Sequence, residues 1–524
     1  MPIPTNGRWL NWACSVTIAL GGLIYGIDTG IVSTTIAQKT FNLYMFGTTD
    51  KTKFTAFTGA MVSCYYAGQT IGSFGIGWMM DRLGRKWSLQ ICTFFTIVGS
   101  AVQTGSINIG MFLAGRVIAG IATGGLLTLV PPYIAELAPP ETRARLVGMK
   151  GLLVAIGYLI ANWIGYAGDY AVGDARWRIP LAMQIPMAIL LMVLVVLLPE
   201  SPRWRKSPYV SNSGSSTKRA TVVSKDRYEE AQEVLNRLHG HRGDGFAGAE
   251  FAEISARFAL EREQRQSRAV LREAFSRRYL RRTLLAIFIL QMTKLSGSAI
   301  INNYQSLFYS GLGYKGRTVL LLAGVYGFMG VIGQIINLLF ISDKWSRRLT
   351  VCLGSFTLAG FLALLTVMSA LYGNGSNKDG AAAGIAFVFL FSLFYAVFFN
   401  STVWVLVSEI FPQHIRAQGN SFAVFCTSIT QIWLSQVTPL AFASLAWKFY
   451  FVFIALNCAG GLIYYFFLPE TNQKTLEEIA EAFEGSSAKV LAEDTENGLD
   501  DGRDHKEQIA RVVQVEETKS AGAR

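Results

Sequence analysis

Long apolar segments recur along the 524-residue chain, and they limit the folds it can adopt. A helix needs about 20 apolar residues to cross the hydrocarbon core of a bilayer. Lipid offers no hydrogen-bonding partners, so a segment that crosses it must satisfy its own backbone groups. We therefore predict an all-α membrane protein with twelve transmembrane helices. Their predicted limits are 11–33, 57–80, 87–107, 109–135, 147–168, 177–198, 283–310, 318–342, 349–372, 382–408, 417–444 and 447–468.

Composition and charge agree with a multi-pass membrane protein. Hydrophobic residues make up 51% of the chain and charged residues 16%, whereas soluble domains carry about 25% charged residues. The net charge of +12 does not indicate a nucleic-acid partner, because the basic residues cluster between the apolar segments. The excess of Lys and Arg in alternate loops places both termini in the cytoplasm. We expect a monomer in the plasma membrane.

The same orientation places Asn374-Gly-Ser376 outside the cell, where a glycosylation sequon is usable. An unmodified turn explains this triplet equally well, so both interpretations stay open. The first apolar segment is too long for the hydrophobic region of a signal peptide and indicates a membrane helix. Six cysteines lie in apolar segments without metal-ligand spacing, so we expect neither a metal site nor disulfides.

Three motifs occur twice, in the same order along the chain. The pairs, with their offsets in residues, are Asp81–Arg85 with Asp343–Arg347 (262), Glu136–Arg143 with Glu409–Arg416 (273), and Leu198–Glu200 with Leu468–Glu470 (270). Three matches at nearly one offset indicate an internal duplication. Six helices repeated in the same orientation give two pseudo-symmetric halves related by an axis along the membrane normal, with a substrate site between them near the midplane.

The duplication divides the chain into four parts. The N-terminal six-helix half covers 11–199 and the C-terminal six-helix half covers 283–470. The connection at 200–282 has apolar residues at helical spacing between charged ones, which predicts a cytoplasmic insert of short amphipathic helices. The tail at 471–524 is charged and poor in aromatic residues, which predicts disorder after about residue 491.

Charged residues repeat at the predicted cytoplasmic helix ends. Opposite charges there can pair while an inner gate is shut, and opening must separate them. The positive-inside rule alone explains the Arg and Lys residues but not Glu136 and Glu409 at matching positions. The predicted gate consists of Asp81, Arg82, Gly84, Arg85, Glu136, Arg143, Glu200, Arg347, Glu409, Arg416 and Glu470.

Further short motifs accompany the duplicated ones. Together the motifs are Asp81–Lys86, Gly115-Arg116 with Gly120 and Gly124, Pro132–Leu137, Pro199–Trp204, Pro469–Thr471 and Leu476–Ile479. They resemble the signatures of the sugar porter family of the major facilitator superfamily, in the style of its fungal sugar/proton symporters. The resemblance extends over roughly 11–483 and implies a helical bundle that carries monosaccharides or related polyols. We therefore expect a secondary active transporter that works by alternating access.

Asp28 and Arg116 are oppositely charged residues inside predicted membrane helices, where a charge is costly and usually functional. Asp28 lies on the first helix and Arg116 on the fourth, and a rise of about 1.5 Å per residue brings both to the outer half of the membrane. In proton-coupled sugar porters an Asp in this motif is the proton site and the fourth-helix Arg is its partner. The resemblance thus implies proton symport at Asp28 and Arg116. A permanent ion pair that only joins two helices is the alternative.

The positions that usually contact sugar in the family carry different residues here. The family's Gln on the fifth helix is Gly151, and its Gln-Gln pair on the seventh helix is Thr293-Lys294. Trp404 keeps an aromatic side chain, which is suited to stacking on a sugar ring. The predicted substrate-binding residues are Thr293, Lys294, Asn302, Asn303, Gln334, Trp404 and Gln431.

Lys294 lies near the predicted midplane and has two interpretations. It either binds an anionic group, so that the solute is a sugar acid or a quinate-like hydroxy acid, or it pairs with an internal acid or reaches into a water-filled cavity. Lys150, near the start of its predicted span, is ascribed to the positive-inside rule.

Other classes of function find little support in the sequence. It contains no nucleophile elbow, HExxH or Walker A motif. We therefore expect neither an enzyme nor an ATP-driven pump, and no cofactor. The expected partners are a small-molecule substrate, protons and the lipid bilayer. A non-transporting nutrient sensor on the same fold remains an alternative, although such sensors carry long cytoplasmic tails.

Overall fold

The computed structural model describes residues 7–47, 51–137, 143–200, 274–342, 344–372, 378–411 and 413–471. Four sets of predictions lie outside the described residues: the linker helices within 201–273, Asp343, Asn374 and the tail from 472. For Asp81, Arg143 and Arg416 only the helical backbone is described.

Every element in the described part is a helix. The helices before the linker are α1 (Gly7–Ala37), α2 (Lys39–Phe46), α3 (Lys51–Leu83), α4 (Arg85–Thr104), α5 (Ile109–Leu137), α6 (Arg143–Gly168), α7 (Ala175–Ala182) and α8 (Gln184–Leu197). The helices beyond it are α9 (Arg277–Leu295), α10 (Ser298–Gly311), α11 (Arg317–Ile336), α12 (Arg347–Tyr372), α13 (Lys378–Tyr395), α14 (Thr402–Ile410), α15 (Gln413–Leu445) and α16 (Tyr450–Phe467). A π-helical segment, Asn337–Ile341, extends α11, and another, Ala396–Asn400, joins α13 to α14.

Each of the twelve predicted spans coincides with helix. By length and composition, nine helical segments of the described part are long and apolar enough to cross a membrane. The helices α3 and α4 are not among them because Thr and Ser are frequent in both and lower their mean hydropathy. The segment Gln418–Phe467 counts once although it covers two predicted spans. The all-helical fold is therefore supported, whereas the number of crossings stays a prediction.

The parts of the chain before and after the linker pack against each other mainly through two pairs of helices. α3 packs along α15, and α6 packs along α11. In the internal repeat α3 corresponds to α11 and α6 corresponds to α15, so exchanging the halves turns one pair into the other. A two-fold axis between the halves produces this relation. The limits of the four predicted parts remain predictions.

The glycines of α5 let this helix approach α3 closely. A Cβ at Gly120 would lie 2.1 Å from the carbonyl oxygen of Tyr65, and a Cβ at Gly124 would lie 2.3 Å from that of Gln69. Small residues at such crossings allow two membrane helices to pack backbone against backbone. The close crossing holds Arg116 of α5 against α3, where its Nε donates to the Met61 carbonyl oxygen at 3.3 Å.

α9 and α10 form one helical path with a break. Gly297 lies between them with φ of +93°, a conformation that favours glycine. The predicted residues Thr293 and Lys294 precede the break, and Asn302 and Asn303 follow it. Membrane transporters commonly form their binding sites at such interrupted helices, because the interruption frees polar groups near the midplane.

Candidate functional site

A cavity of about 120 Å³ lies where the two halves meet. Helices α1, α3, α5 and α6 line it on one side, and α9–α11 and α13–α15 line it on the other. Gln334 is the one predicted substrate-binding residue that is not at its wall. The predicted residues that line it are Thr293, Lys294, Asn302, Asn303, Trp404 and Gln431.

Three amide groups in this cavity, those of Asn302, Gln431 and Gln69, have unused hydrogen-bonding atoms. Asn303 Nδ2 donates to the Tyr66 hydroxyl at 3.0 Å. In contrast, Asn302 Oδ1, Gln431 Nε2 and Gln69 Oε1 are buried and have no hydrogen-bond partner among the residues that the structure describes. Buried polar atoms are normally paired. These three atoms therefore mark positions where the hydroxyl groups of a solute would complete the hydrogen bonding.

Tyrosines form much of the remaining wall, and the sequence analysis did not identify them. An aromatic ring with a hydroxyl offers a solute both an apolar face and a polar edge. Within an apolar helix, however, a Tyr has no sequence signal that separates it from an ordinary packing residue. The tyrosines that line the cavity are Tyr25, Tyr66, Tyr158, Tyr326 and Tyr395.

Gln334 lies behind the wall, on α11. Its Nε2 donates to the Ser401 hydroxyl, and Ser401 in turn donates to the Gly148 carbonyl oxygen at 3.1 Å. Gly151 faces the same groups, since a Cβ there would lie 2.3 Å from Ser401 Oγ. The glycine that replaces the family's usual Gln thus makes room for a contact between α6 and the opposite half.

Lys150 is also at the cavity wall, and its position differs from the sequence-based interpretation. It lies on the second turn of α6, is 2% exposed, and faces the cavity instead of the helix end. Its Nζ donates to the Leu127 carbonyl oxygen at 3.0 Å and lies 3.9 Å from the ring centroid of Trp404. The ring that the sequence predicted to stack on a sugar therefore has a lysine ammonium group over one face.

Asp28 and Arg116 form a buried ion pair. Arg116 Nη1 lies 3.3 Å from Asp28 Oδ1, and the two side chains are 1% and 0% exposed. The guanidinium also lies 4.2 Å from the Tyr65 ring centroid. Asp28 Oδ2 has no hydrogen-bond partner in the described part of the chain. Tyr25 and Thr29, close to Asp28 on α1, line the cavity, so the pair lies directly behind its wall.

At one end of the bundle, the charged residues of the first motif copy connect α3, α4 and α5. Glu200 Oε1 accepts from the Arg85 backbone N–H at 2.9 Å, at the start of α4. Arg85 Nη2 donates to Glu136 Oε1 on α5 at 3.0 Å. Gly84 lies between α3 and α4, and Arg82 is exposed on the last turn of α3.

The second motif copy builds the same arrangement. Glu470 Oε1 accepts from the Arg347 backbone N–H at 3.0 Å, at the start of α12. Arg347 Nη1 forms an ion pair with Glu409 on α14. The Ser346 hydroxyl also donates to Glu470. In both copies a carboxylate caps a helix N-terminus, where the positive end of the helix dipole stabilises its negative charge. An Arg side chain then joins that helix to a neighbouring helix. These pairs connect helices within one half.

Contacts between the halves lie on both sides of the cavity. Toward the Arg85 end, Ser401 donates to the Gly148 carbonyl oxygen at 3.1 Å. Toward the opposite end, Arg317 Nε at the start of α11 donates to Asp169 Oδ2, just beyond α6, at 2.8 Å. The two halves thus contact each other on both sides of the cavity.

Comparison with known proteins places this arrangement in a family. Residues 14–483 match the sequence profile of the family described as "Sugar (and other) transporter". The chain belongs to the sugar porter family of the major facilitator superfamily. As a sugar porter it is an integral multi-pass membrane protein and not an enzyme.

Individual relatives agree with this assignment. The MFS-type transporter criB of Aspergillus cristatus is 32% identical over 474 residues, covering 90% of this sugar porter and 93% of criB. A probable quinate permease of Aspergillus clavatus is 28% identical, covering 92% and 89%. The structure of the MFS proton:xylose symporter XylE bound to 6-bromo-6-deoxy-D-glucose matches with a TM-score of 0.76 at 22% identity, covering 91% of this chain and 100% of XylE. The two proteins share the fold.

Proposed function

We propose that this sugar porter moves a sugar-like, polyhydroxylated solute by alternating access and that it is a proton symporter. The observation that carries the proposal is the polar cavity lined by residues of both halves. Its unpartnered Asn302 and Gln431 atoms suit hydroxyl groups, and the buried Asp28–Arg116 pair lies directly behind its wall. Such a cavity binds its solute near the midplane while the halves rock around it.

Proton coupling is assigned to Asp28, with Arg116 as its partner. A proton on Asp28 would remove the charge that attracts the guanidinium, and the unpartnered Oδ2 leaves one oxygen open to receive it. Thr29, the next residue on α1, reaches the cavity wall. A change in the pair therefore alters the position of α1 beside the solute, and binding of a solute alters the pair. This reciprocity is what coupling requires.

The inner gate is assigned to the end of the bundle that carries the duplicated charges. The sequence analysis expected these charge pairs to separate when the gate opens. Because the Arg85–Glu136 and Arg347–Glu409 pairs each connect helices of one half, we propose instead that they hold each half together as it moves. The gate itself then opens where α14 leaves α6, at the Ser401–Gly148 contact. We assign to the remaining predicted gate residues the same role of holding each half together.

The orientation follows from the same charges. With the duplicated Arg residues facing the cytoplasm, both termini are cytoplasmic, the protein crosses the plasma membrane twelve times, and the Arg317–Asp169 contact lies at the outer face. Single-cysteine variants at the exposed positions Arg82 and Arg317 test this assignment. Intact cells should label only the second with a membrane-impermeant maleimide.

A second candidate solute is an anionic sugar derivative or a hydroxy acid. Lys294 lines the cavity, and one relative is named as a probable quinate permease. The non-transporting sensor is the competing function for the whole protein, and only a flux measurement separates it from a transporter.

Uptake into proteoliposomes tests the proposed function. Purified full-length protein is reconstituted, a pH gradient is imposed, and accumulation of labelled hexoses, pentoses, polyols and quinate is measured. We expect at least one solute to accumulate above its external concentration, and an ionophore that dissipates the pH gradient to abolish the accumulation. A solute that binds the protein but shows no flux, with or without a gradient, would identify a sensor and refute transport.

A further inference from the structure

Lys150 is the group at the cavity that the proposed function does not use. Its ammonium group is buried and contacts a carbonyl oxygen of Leu127 and the ring face of Trp404. Both contacts attract a cation, but neither carries a formal negative charge to balance it. A lysine has three donors, and the described hydrogen bonds use one of them. A buried charge of this kind is normally paired with an anion.

Lys294 brings a second cation into the same cavity. It lies on α9 immediately before the break at Gly297, on the opposite half from Lys150. Both lysine side chains line this one cavity. Among the described residues that line the cavity there is no Asp or Glu. Asp28 lies behind the wall and already pairs with Arg116.

We propose that Lys150 and Lys294 together bind the carboxylate of a polyhydroxylated acid, one lysine from each half. This rests on the proposed transport function and names the substrate class of its cavity. A carboxylate accepts about four hydrogen bonds and carries the charge that the cavity lacks. The unpartnered Asn302 and Gln431 atoms then bind the hydroxyl groups of the same solute.

The position of Lys150 also explains why one lysine would not suffice. Each half contributes one cation, so a carboxylate between them attracts both halves toward each other. Without the anion, the like charges of Lys150 and Lys294 repel across the cavity that both side chains line. An acid therefore favours the closed arrangement, whereas a neutral sugar of the same shape leaves the repulsion in place.

Ligand binding to the purified full-length protein tests this inference without requiring transport. The probes are D-glucuronate and D-glucose, which share a ring and differ in the carboxylate, with quinate as a second acid. Binding is measured from the ligand-induced rise in melting temperature at about pH 7, where both acids are ionised. We expect both acids to bind more tightly than D-glucose. Failure of both acids to raise the melting temperature would overturn the inference.

Variants then separate a carboxylate site from a structural lysine. Lys150→Met removes the charge and keeps the length of the side chain, and Lys294→Gln removes the other charge. Each should weaken binding of the acids by about 10- to 150-fold, the range for a hydrogen bond to a charged group. Lys150→Arg should retain most of the affinity. The control Lys315→Gln alters an exposed lysine away from the cavity and should change nothing.

The outcomes distinguish this inference from the proposed function. Equal loss of acid and glucose binding in Lys150→Met, together with a lower melting temperature in the absence of ligand, would show that Lys150 only joins α5 to α6. Glucose flux without acid binding would refute the carboxylate site and leave transport standing. Acid binding that depends on both lysines, without flux of any solute, would support the site and refute transport.

Discussion

Replacing Asp28 by Asn tests proton coupling at one buried atom. Asp28 and Arg116 are 0% and 1% exposed, and 3.3 Å separates Oδ1 from Nη1. Asn has nearly the shape of Asp but neither ionises nor takes up a proton at neutral pH. The variant therefore resembles the protonated state permanently. We expect it to exchange solute across the membrane while losing the ability to use a pH gradient.

The expected size of the effect follows from the gradient. A difference of one pH unit is worth about 1.4 kcal/mol per proton, which corresponds to about tenfold accumulation for a one-to-one symporter. The wild type should approach that ratio, and Asp28→Asn should stop at equal concentrations. The change also leaves the Arg116 charge buried without its partner, which destabilises a protein by about 3–5 kcal/mol. The double variant Asp28→Asn/Arg116→Gln should recover part of this loss.

The assay uses proteoliposomes with and without an imposed pH gradient, and counterflow of labelled solute shows that the variant still binds and moves it. Asp174→Asn is the matched control, because Asp174 is an exposed carboxylate just before α7, whereas Asp28 is buried. It should accumulate solute as the wild type does. Gradient-driven accumulation by Asp28→Asn at the wild-type ratio would refute the assignment of the proton site.

Three further predictions concern the helices around the cavity. Gly120→Val should destabilise the protein by at least about 1–3 kcal/mol and lower its melting temperature, because no side chain fits between α5 and α3 at this position. The control Gly75→Ala, with open space around it, should melt as the wild type does. Glu200→Gln weakens the cap on α4 and should lower stability by about 0.5–2 kcal/mol in a melting experiment, with an unchanged melting temperature counting against the capping role. Arg317→Gln breaks the exposed pair with Asp169; it should leave the melting temperature nearly unchanged while increasing labelling of a cavity cysteine by an impermeant reagent, and unchanged labelling would exclude this contact from the outer gate.

Much of the fold was predictable because the bilayer imposes it. A helix must be long and apolar to cross lipid, so all twelve predicted spans coincide with helix. The Asp28–Arg116 contact was predictable for a related reason, since two opposite charges at one depth in apolar helices are expected to meet. The duplicated motifs likewise predicted that Arg347 and Glu409 would repeat the relation of Arg85 and Glu136.

The composition of the cavity was less predictable, because it depends on which way each side chain faces. The predicted fifth span begins at residue 147, which made Lys150 look like a helix-end residue, whereas α6 begins at Arg143 and carries Lys150 into the bundle. Gln334 shows that residue type alone does not determine which groups line the cavity. An amide on a membrane helix suits a solute, but the nearest acceptor is the Ser401 hydroxyl of the same half.

The two copies of the repeat are alike in the charged residues that hold each half together, and they differ in the residues that line the cavity. Glu200 and Glu470 cap equivalent helices, since both halves must stay intact as they move. A sugar-like solute has no two-fold symmetry, so its site cannot repeat. The proton-site candidate Asp28 lies in one half, while Asn302 and Gln431 lie in the other. A ligand shifts a conformational balance only through contacts that differ between the states. The solute must therefore contact both halves for proton and solute to move together.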